Sequence, residues 1–184
     1  MNCPQYFLNG CIDADELRTF LMFVKNEVPD DCARIDVLIQ SVGGAVQVAL
    51  AFADLLQSLP CEVRTFNLSN VDSASIVVFA AGKDRFAPKG TTFFLHPVGK
   101  RITGVKNAAE LRQLADEIDR DTFREIDFLA RRTGTDARTW RNLMNKKTII
   151  DNSTALALGL ATSNEGLSIN PSSLVVKRKR IRRD

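Results

Sequence analysis

The chain has 184 residues, 45% hydrophobic and 26% charged, which suits one globular domain with its own core. Six Pro and ten Gly are too few for a disordered or fibrous chain, and the longest nearly apolar stretch, Ala74 to Ala81, falls far short of a bilayer span. The net charge of +3 belongs to one end: residues 177–184 hold six basic residues and one acidic, and without them 19 basic residues face 21 acidic, a net of −2.

The body, residues 1–176, is therefore read as a single, mildly acidic domain, and 177–184 as a solvated basic tail. Such a run binds nucleic acid by counterion release where it has a dedicated ligand; the plainer reading is a charged terminus with none. No charged-then-apolar signal segment opens the chain. Cys3, Cys11, Cys32 and Cys61 show neither C-x-x-C spacing nor a metal-ligand grouping, and read as reduced thiols of a cytoplasmic protein. The residues specify no metal and no cofactor. A single histidine, His96, leaves a short menu for imidazole chemistry.

In chain order, Arg34 to Gln40 is a β-type run that stops at Ser41-Val42-Gly43-Gly44. A helix follows, with Val46, Leu50, Ala53 and Leu56 on one face and Pro60 just beyond its end. Glu62 to Leu68 alternates as a second strand. Val71-Asp72-Ser73 leads into the stretch from Ala74 to Ala81, apolar nearly all round and hence a buried helix, closed by Gly82. Arg85-Phe86-Ala87 and Thr91 to Leu95 are two short strands, the second ending at His96-Pro97. Residues 107–132 form a long amphipathic helix carrying Leu111, Leu114, Ile118, Ile126 and Leu129, with Gly134 as its stop. Shorter helices cover about 136–145 and 153–158. Strands alternating with helices argue for an α/β fold with parallel strands and crossover helices.

Three turns sit where such folds place ligands. Gly43-Gly44 precedes a helix, where backbone N–H groups are free to hold an anion or oxyanion; a plain tight turn has the same sequence. Ser73 opens the buried helix, as an N-cap does and as a nucleophile does. His96 ends an apolar strand, as a packed histidine or as a general base.

Their order and flanks carry more than any one of them. Leu38-Ile39-Gln40-Ser41-Val42-Gly43-Gly44-Ala45-Val46, then Asn70 to Gly82 around Asp72-Ser73-Ala74-Ser75, then Arg85-Phe86-Ala87-Pro88, then Phe94-Leu95-His96-Pro97 resemble the proteolytic subunits of Clp proteases. The likeness extends upstream to Phe7 to Asp13. Downstream it takes in the long helix, Arg132-Thr133-Gly134 and Ala155 to Leu160. It implies a Clp/crotonase-like spiral of β-β-α units with a protruding long helix. It implies peptide hydrolysis through an acyl-enzyme, with Ser73 as nucleophile, His96 as general base, and the N–H groups of Gly44 and Ala74 as oxyanion hole. Peptides or unfolded proteins are the implied substrates, a homo-oligomeric ring of one or two heptamers the implied assembly, and an unfoldase ATPase the implied partner. The short segment before the first strand leaves docking to that ATPase open.

The likeness breaks at the third triad position. Aligning Thr133-Gly134 and Gly159-Leu160 without a gap puts Lys147 where the family carries an Asp that orients the imidazole; loss of such an Asp costs about 10⁴ in turnover. Three readings stay open: Asp151, four residues on, swings into the role; a Ser–His pair works without a carboxylate; or Lys147 is itself an unprotonated base, which needs strong desolvation. Val42 replaces a Pro, Ser75 a Gly, and Pro97 directly follows His96. Lys100 and Arg101 lie in the segment that replaces a Gly-rich substrate-side strand, and are expected to alter peptide preference. Two further readings compete: a catalytically impaired Clp-like assembly subunit or peptide binder, and a crotonase-type acyl-CoA enzyme.

Overall fold

The computed structural model describes residues 3–166 and the pair Leu174–Val175. The basic tail lies outside the described residues. The elements run β1 (Gln5–Ile12), α1 (Ala14–Glu27), β2 (Arg34–Gly44), α2 (Val46–Ser58), β3 (Glu62–Asp72), α3 (Ser75–Ala80), β4 (Asp84–Phe86), β5 (Thr92–Leu95), α4 (Ala108–Thr133), α5 (Ala137–Asn145), β6 (Thr148–Asp151), α6 (Asn152–Ala157) and β7 (Leu174–Val175). They form one sheet in the order β6-β5-β3-β2-β1-β7, with β4 also on β3.

All pairings are parallel except β5 with β6. The long strand β3 pairs with β4 through Arg64 to Phe66, then with β5 through Asn70 to Asp72. One strand thus serves two successive partners as the chain turns, which is the expected α/β spiral. β2 reads as a nearly continuous buried run because both of its faces are covered. It extends four residues past its expected end, since Cys11 and Ile12 of β1 pair with Gly43 and Gly44 after a register shift.

Tyr6, Phe20, Phe23 and Phe52 pack α1 and α2 on β1, with Tyr6 and Phe20 centroids 5.0 Å apart and Phe20 and Phe52 4.8 Å apart. The Tyr6 hydroxyl donates to the buried Glu16 carboxylate at 2.6 Å. α3 is buried at every residue, as its composition requires. The guanidinium of Arg132, from α4, donates to the carbonyls of Ala80 and Gly82 at the end of α3, and Arg85 donates to those of Gly82, Gly159 and Leu160. Those carbonyls would otherwise be unpaired at a helix end.

α4 begins in a reciprocal cap. Asn107 Oδ1 accepts from the N–H groups of Ala109 and Glu110, and the Glu110 carboxylate accepts from Asn107 N–H. It ends at Gly134, left-handed at φ 74. Its C-terminal half packs into the domain through Ile126, Phe128 and Leu129, while its N-terminal half stands out with Leu111 exposed; Phe123, just past the midpoint, is exposed as well. No helix among the described residues is long and apolar enough to cross a membrane.

Candidate active site

The C-terminal ends of β2, β3 and β5 lie side by side and bring the three predicted turns together. Asp72 of β3 pairs with Phe94 of β5, so Ser73 and His96 leave neighbouring strands close to the same level. Asp72 fixes that level twice: its carboxylate accepts from Phe94 N–H at 3.2 Å and from the Asn70 amide at 2.7 Å. Ser73 N–H then donates to the Phe94 carbonyl at 2.8 Å.

Ser73 is held at φ 55, a region that side chains other than Gly, Asn and Asp seldom adopt and that costs about 1–3 kcal/mol. A sharp turn of this kind lifts a serine hydroxyl off the strand end while the chain reverses into α3. The next N–H, of Ala74, is buried and donates to no described group. Ser75, read as a departure from Gly, is accommodated because its hydroxyl donates to the Asp72 carbonyl at 2.7 Å.

The Gly-Gly turn packs directly on this serine. Gly43 has φ 90, and a Cβ there would fall 2.6 Å from Ser73 Cβ and 3.1 Å from Ala74 N. Gly44 backs onto Ile12 of β1, whose backbone a Cβ at 44 would strike. Ser41 shapes the turn: its hydroxyl donates to the Gly10 carbonyl at 2.6 Å and accepts from Gly43 N–H at 3.1 Å. Sequence reasoning singled out the Gly43-Gly44 turn but assigned the oxyanion donor to Gly44 alone and gave Ser41 no part; the structure sets Gly43 against Ser73 and Ser41 behind it. The adjacent Gly-Gly pair was the only signal for Gly43, and its contact with Ser73 comes from chain segments 30 residues apart.

His96 is half-buried, its ring 5.2 Å from that of Phe94. Its Nδ1 lies 2.8 Å from the Pro97 carbonyl. A carbonyl only accepts, so the contact puts a proton on Nδ1, and in the neutral ring that leaves Nε2 with its lone pair. The Ser73 hydroxyl and His96 make no hydrogen bond to each other.

Neither predicted substitute for the acid joins them. Thr148 pairs with Leu95, so Lys147 stands one step beyond, level with His96; it is exposed and has φ 51. Asp151 lies at the other end of β6, opposite Thr92. Four strand residues from His96 amount to about 13 Å. There Asp151 caps α6: its carboxylate accepts from Thr154 N–H at 2.8 Å and from the Ser153 hydroxyl at 2.9 Å. Those bonds, Thr154 first, hold its pKa down to about 2.

Lys100 is drawn away from the cleft onto α4, 2.6 Å from the Glu117 carboxylate and 3.9 Å from that of Asp121, while Arg101 is exposed. Below that pair, Glu125 is buried, and burial, followed by the charge of Asp121, pushes its pKa up to about 7. Among the described residues no group of three or more His, Cys, Asp or Glu is placed to hold a metal ion.

Comparison with known proteins gives the family. The chain is 29% identical over 125 residues to ATP-dependent Clp protease proteolytic subunit 3 of Frankia casuarinae, covering 67% of this chain and 57% of that protein. It is 27% identical over 162 residues to ATP-dependent Clp protease proteolytic subunit 1 of Borreliella burgdorferi, covering 85% and 81%. The match thus spans a little over half the length of the Frankia relative. The fold superposes on the structure of a ClpP1 mutant from Listeria monocytogenes with a TM-score of 0.73 at 18% identity, over 95% of this chain and 92% of that one. The sequence model of the Clp protease family matches residues 9–163, the span that carries the turns around Gly43, Ser73 and His96, and the chain belongs to that family.

Proposed function

We propose that the chain is a serine peptidase of the Clp type that works with a Ser73–His96 pair and no triad carboxylate. The observation that carries this reading is the conformation of Ser73, held at φ 55 between Gly43 and the unpaired N–H of Ala74. A serine that served only as a helix cap has no use for that turn.

In the reaction, Ser73 Oγ attacks the scissile carbonyl carbon while His96 Nε2 takes its proton. The oxyanion develops beside the Ala74 N–H and the Gly43–Gly44 turn, with Gly44 N–H as the second donor. His96 returns the proton to the leaving amine, and water repeats the sequence on the acyl-enzyme. The Pro97 carbonyl does half of the missing acid's task. It sets the tautomer through Nδ1, but as a neutral dipole it stabilises the imidazolium less than a carboxylate does. Lys147, level with His96, opposes that charge further. A slow peptidase follows. The absence of a Ser73–His96 hydrogen bond suits a resting site whose hydrogen bonds tighten only with substrate.

The substrates proposed are peptides and unfolded proteins in the cytoplasm, with the chain assembled in homo-oligomeric rings, heptameric by likeness to the family. Exposed Leu111 on the outstanding half of α4 and exposed Phe123 just past its midpoint support a contact between copies. Sedimentation of a Phe123→Glu variant should show a smaller particle than the unaltered chain.

The position of Lys147 favours a second reading, a subunit that keeps the fold and binds peptide without cleaving it. A fluorophosphonate or β-lactone probe separates the two. An adduct mapped to Ser73, absent in Ser73→Ala and slowed at least tenfold in His96→Ala, supports the peptidase. No adduct on the assembled protein supports the binding subunit.

A further inference from the structure

Three of the four cysteines, unrelated by any spacing in the sequence, meet at the sheet edge opposite Ser73. Cys3 lies two residues before β1, Cys32 two before β2 and Cys61 directly before β3. These strands are parallel neighbours, so their starts share one edge. Bonds before the ladders hold the starts level: Asp36 N–H donates to the Pro4 carbonyl and Glu62 N–H to the Ala33 carbonyl, each at 3.0 Å.

The thiols of Cys3 and Cys32 both donate to the Arg34 carbonyl, at 3.2 and 3.1 Å, so one oxygen holds two sulfurs. Arg34 pairs with Glu62, which sets Ala33 opposite Cys61 and Cys32 one residue beyond. Cys32, whose N–H closes a turn onto the Pro29 carbonyl, and Cys61 thus flank the first rung between β2 and β3. Cys61 is buried, and its pKa is pushed up by that burial and then by the Cys32 thiol beside it. It also lines an open cavity of about 520 Å³ between Leu56, Val63, Arg85 and Arg132, wide enough for a small oxidant. Cys11 lies exposed near the far end of β1, away from all three.

We propose that Cys32 and Cys61 form a peroxide-responsive dithiol, with Cys3 beside it as a third thiol, on the face of the domain away from the peptidase site. Cys32, the more exposed of the pair, reacts first. Its thiolate attacks one oxygen of hydrogen peroxide; an S–O bond forms, the O–O bond breaks, and the departing hydroxide takes up the thiol's proton as water. Cys61 sulfur then attacks Cys32 sulfur; the S–S bond forms, the S–O bond breaks, and the second hydroxide leaves as water with the proton of Cys61. Two thiols and one peroxide give one disulfide and two waters, the sulfurs being oxidised and the peroxide oxygens reduced. Because burial keeps Cys61 protonated, the second step speeds up as pH rises.

The test uses the full folded chain, exposed to hydrogen peroxide, quenched with iodoacetamide, unfolded and mapped by mass spectrometry. The expected result is a joined peptide pair containing Cys32 and Cys61 that dithiothreitol releases, formed at a rate independent of protein concentration. Cys11→Ser should leave it intact and Cys32→Ser should abolish it, with circular dichroism unchanged in both. Joined peptides linking only Cys3 to Cys32, or separate sulfinic and sulfonic acids with no joined pair, overturn the assignment. Because Ser73 labelling is read on another edge of the sheet, its failure and the failure of the dithiol are told apart.

Discussion

Gly43 stands so close to Ser73 that a single methyl group added at position 43 would fall 2.6 Å from the serine Cβ. The turn at the end of β2 is therefore a wall of the proposed site, not merely the start of α2. Its φ of 90 and its contact each demand glycine on separate grounds.

Gly43→Ala should cost about 2 kcal/mol or more, because backbone strain and overpacking add at one residue. The midpoint of urea unfolding measures it. Labelling of Ser73 by a serine-reactive probe should fall at least tenfold in the fraction that remains folded, since the serine must shift to make room.

Lys147→Asp places a carboxylate level with His96. Its φ of 51 is one that Asp tolerates better than Lys does, so the backbone has no reason to move. Peptide turnover should rise at least tenfold, towards the factor of about 10⁴ that separates triads with and without their acid. Turnover equal to or below that of the unaltered chain would show that His96 does not face position 147.

Asp151→Asn should leave peptide hydrolysis unchanged, because Asn caps a helix nearly as well and the residue sits at the end of β6 opposite Thr92, far from His96. The same variant should alter the acid limb of stability. The folded-state pKa of Asp151, about 2, lies below its ordinary 3.8. Its contribution is present above pH 4 and is lost as pH falls through 2. Unfolding midpoints of the two proteins measured between pH 4 and 2 should therefore converge as the pH drops.

Glu125 acts with the opposite sign. Its folded pKa, raised to about 7 from 4.5 by burial and then by Asp121, favours the protonated native state. That contribution is complete below pH 4.5 and is lost as pH rises through 7. Glu125→Gln should remove the decline and stabilise the protein above neutrality by an amount on the order of a few kcal/mol. Urea midpoints across pH 5 to 8 check it. A decline that persists in the variant would place its source elsewhere.

Local chemistry made much of this fold readable. The apolar composition of Ala74 to Ala81 leaves a buried helix as its only stable form, and α3 is one. Asn107 with Glu110, and Gly134, bracket α4 because a helix must satisfy its end groups from nearby residues. Three elements escaped, the two-residue β7 among them. α1 buries Glu16 along with Phe20 and Phe23, so its core face is partly charged and its periodicity is weak. β6 has four residues, too few for any alternation to show. The long helix was legible as a helix from its periodicity, but its protrusion only from the resemblance, since Leu111 has the same spacing as residues that lie buried further along.

By itself the sequence determined the α/β alternation, the helix ends, and the order of turns that places the chain among Clp proteases, because each of these depends on residues within a turn or two of one another. Tertiary structure alone decided that Gly43 touches Ser73, that Asp151 caps α6 away from His96, and that Cys3, Cys32 and Cys61 share an edge. These are contacts between segments brought together by strand order and register, and a shift of one residue in register would undo them without changing any local pattern.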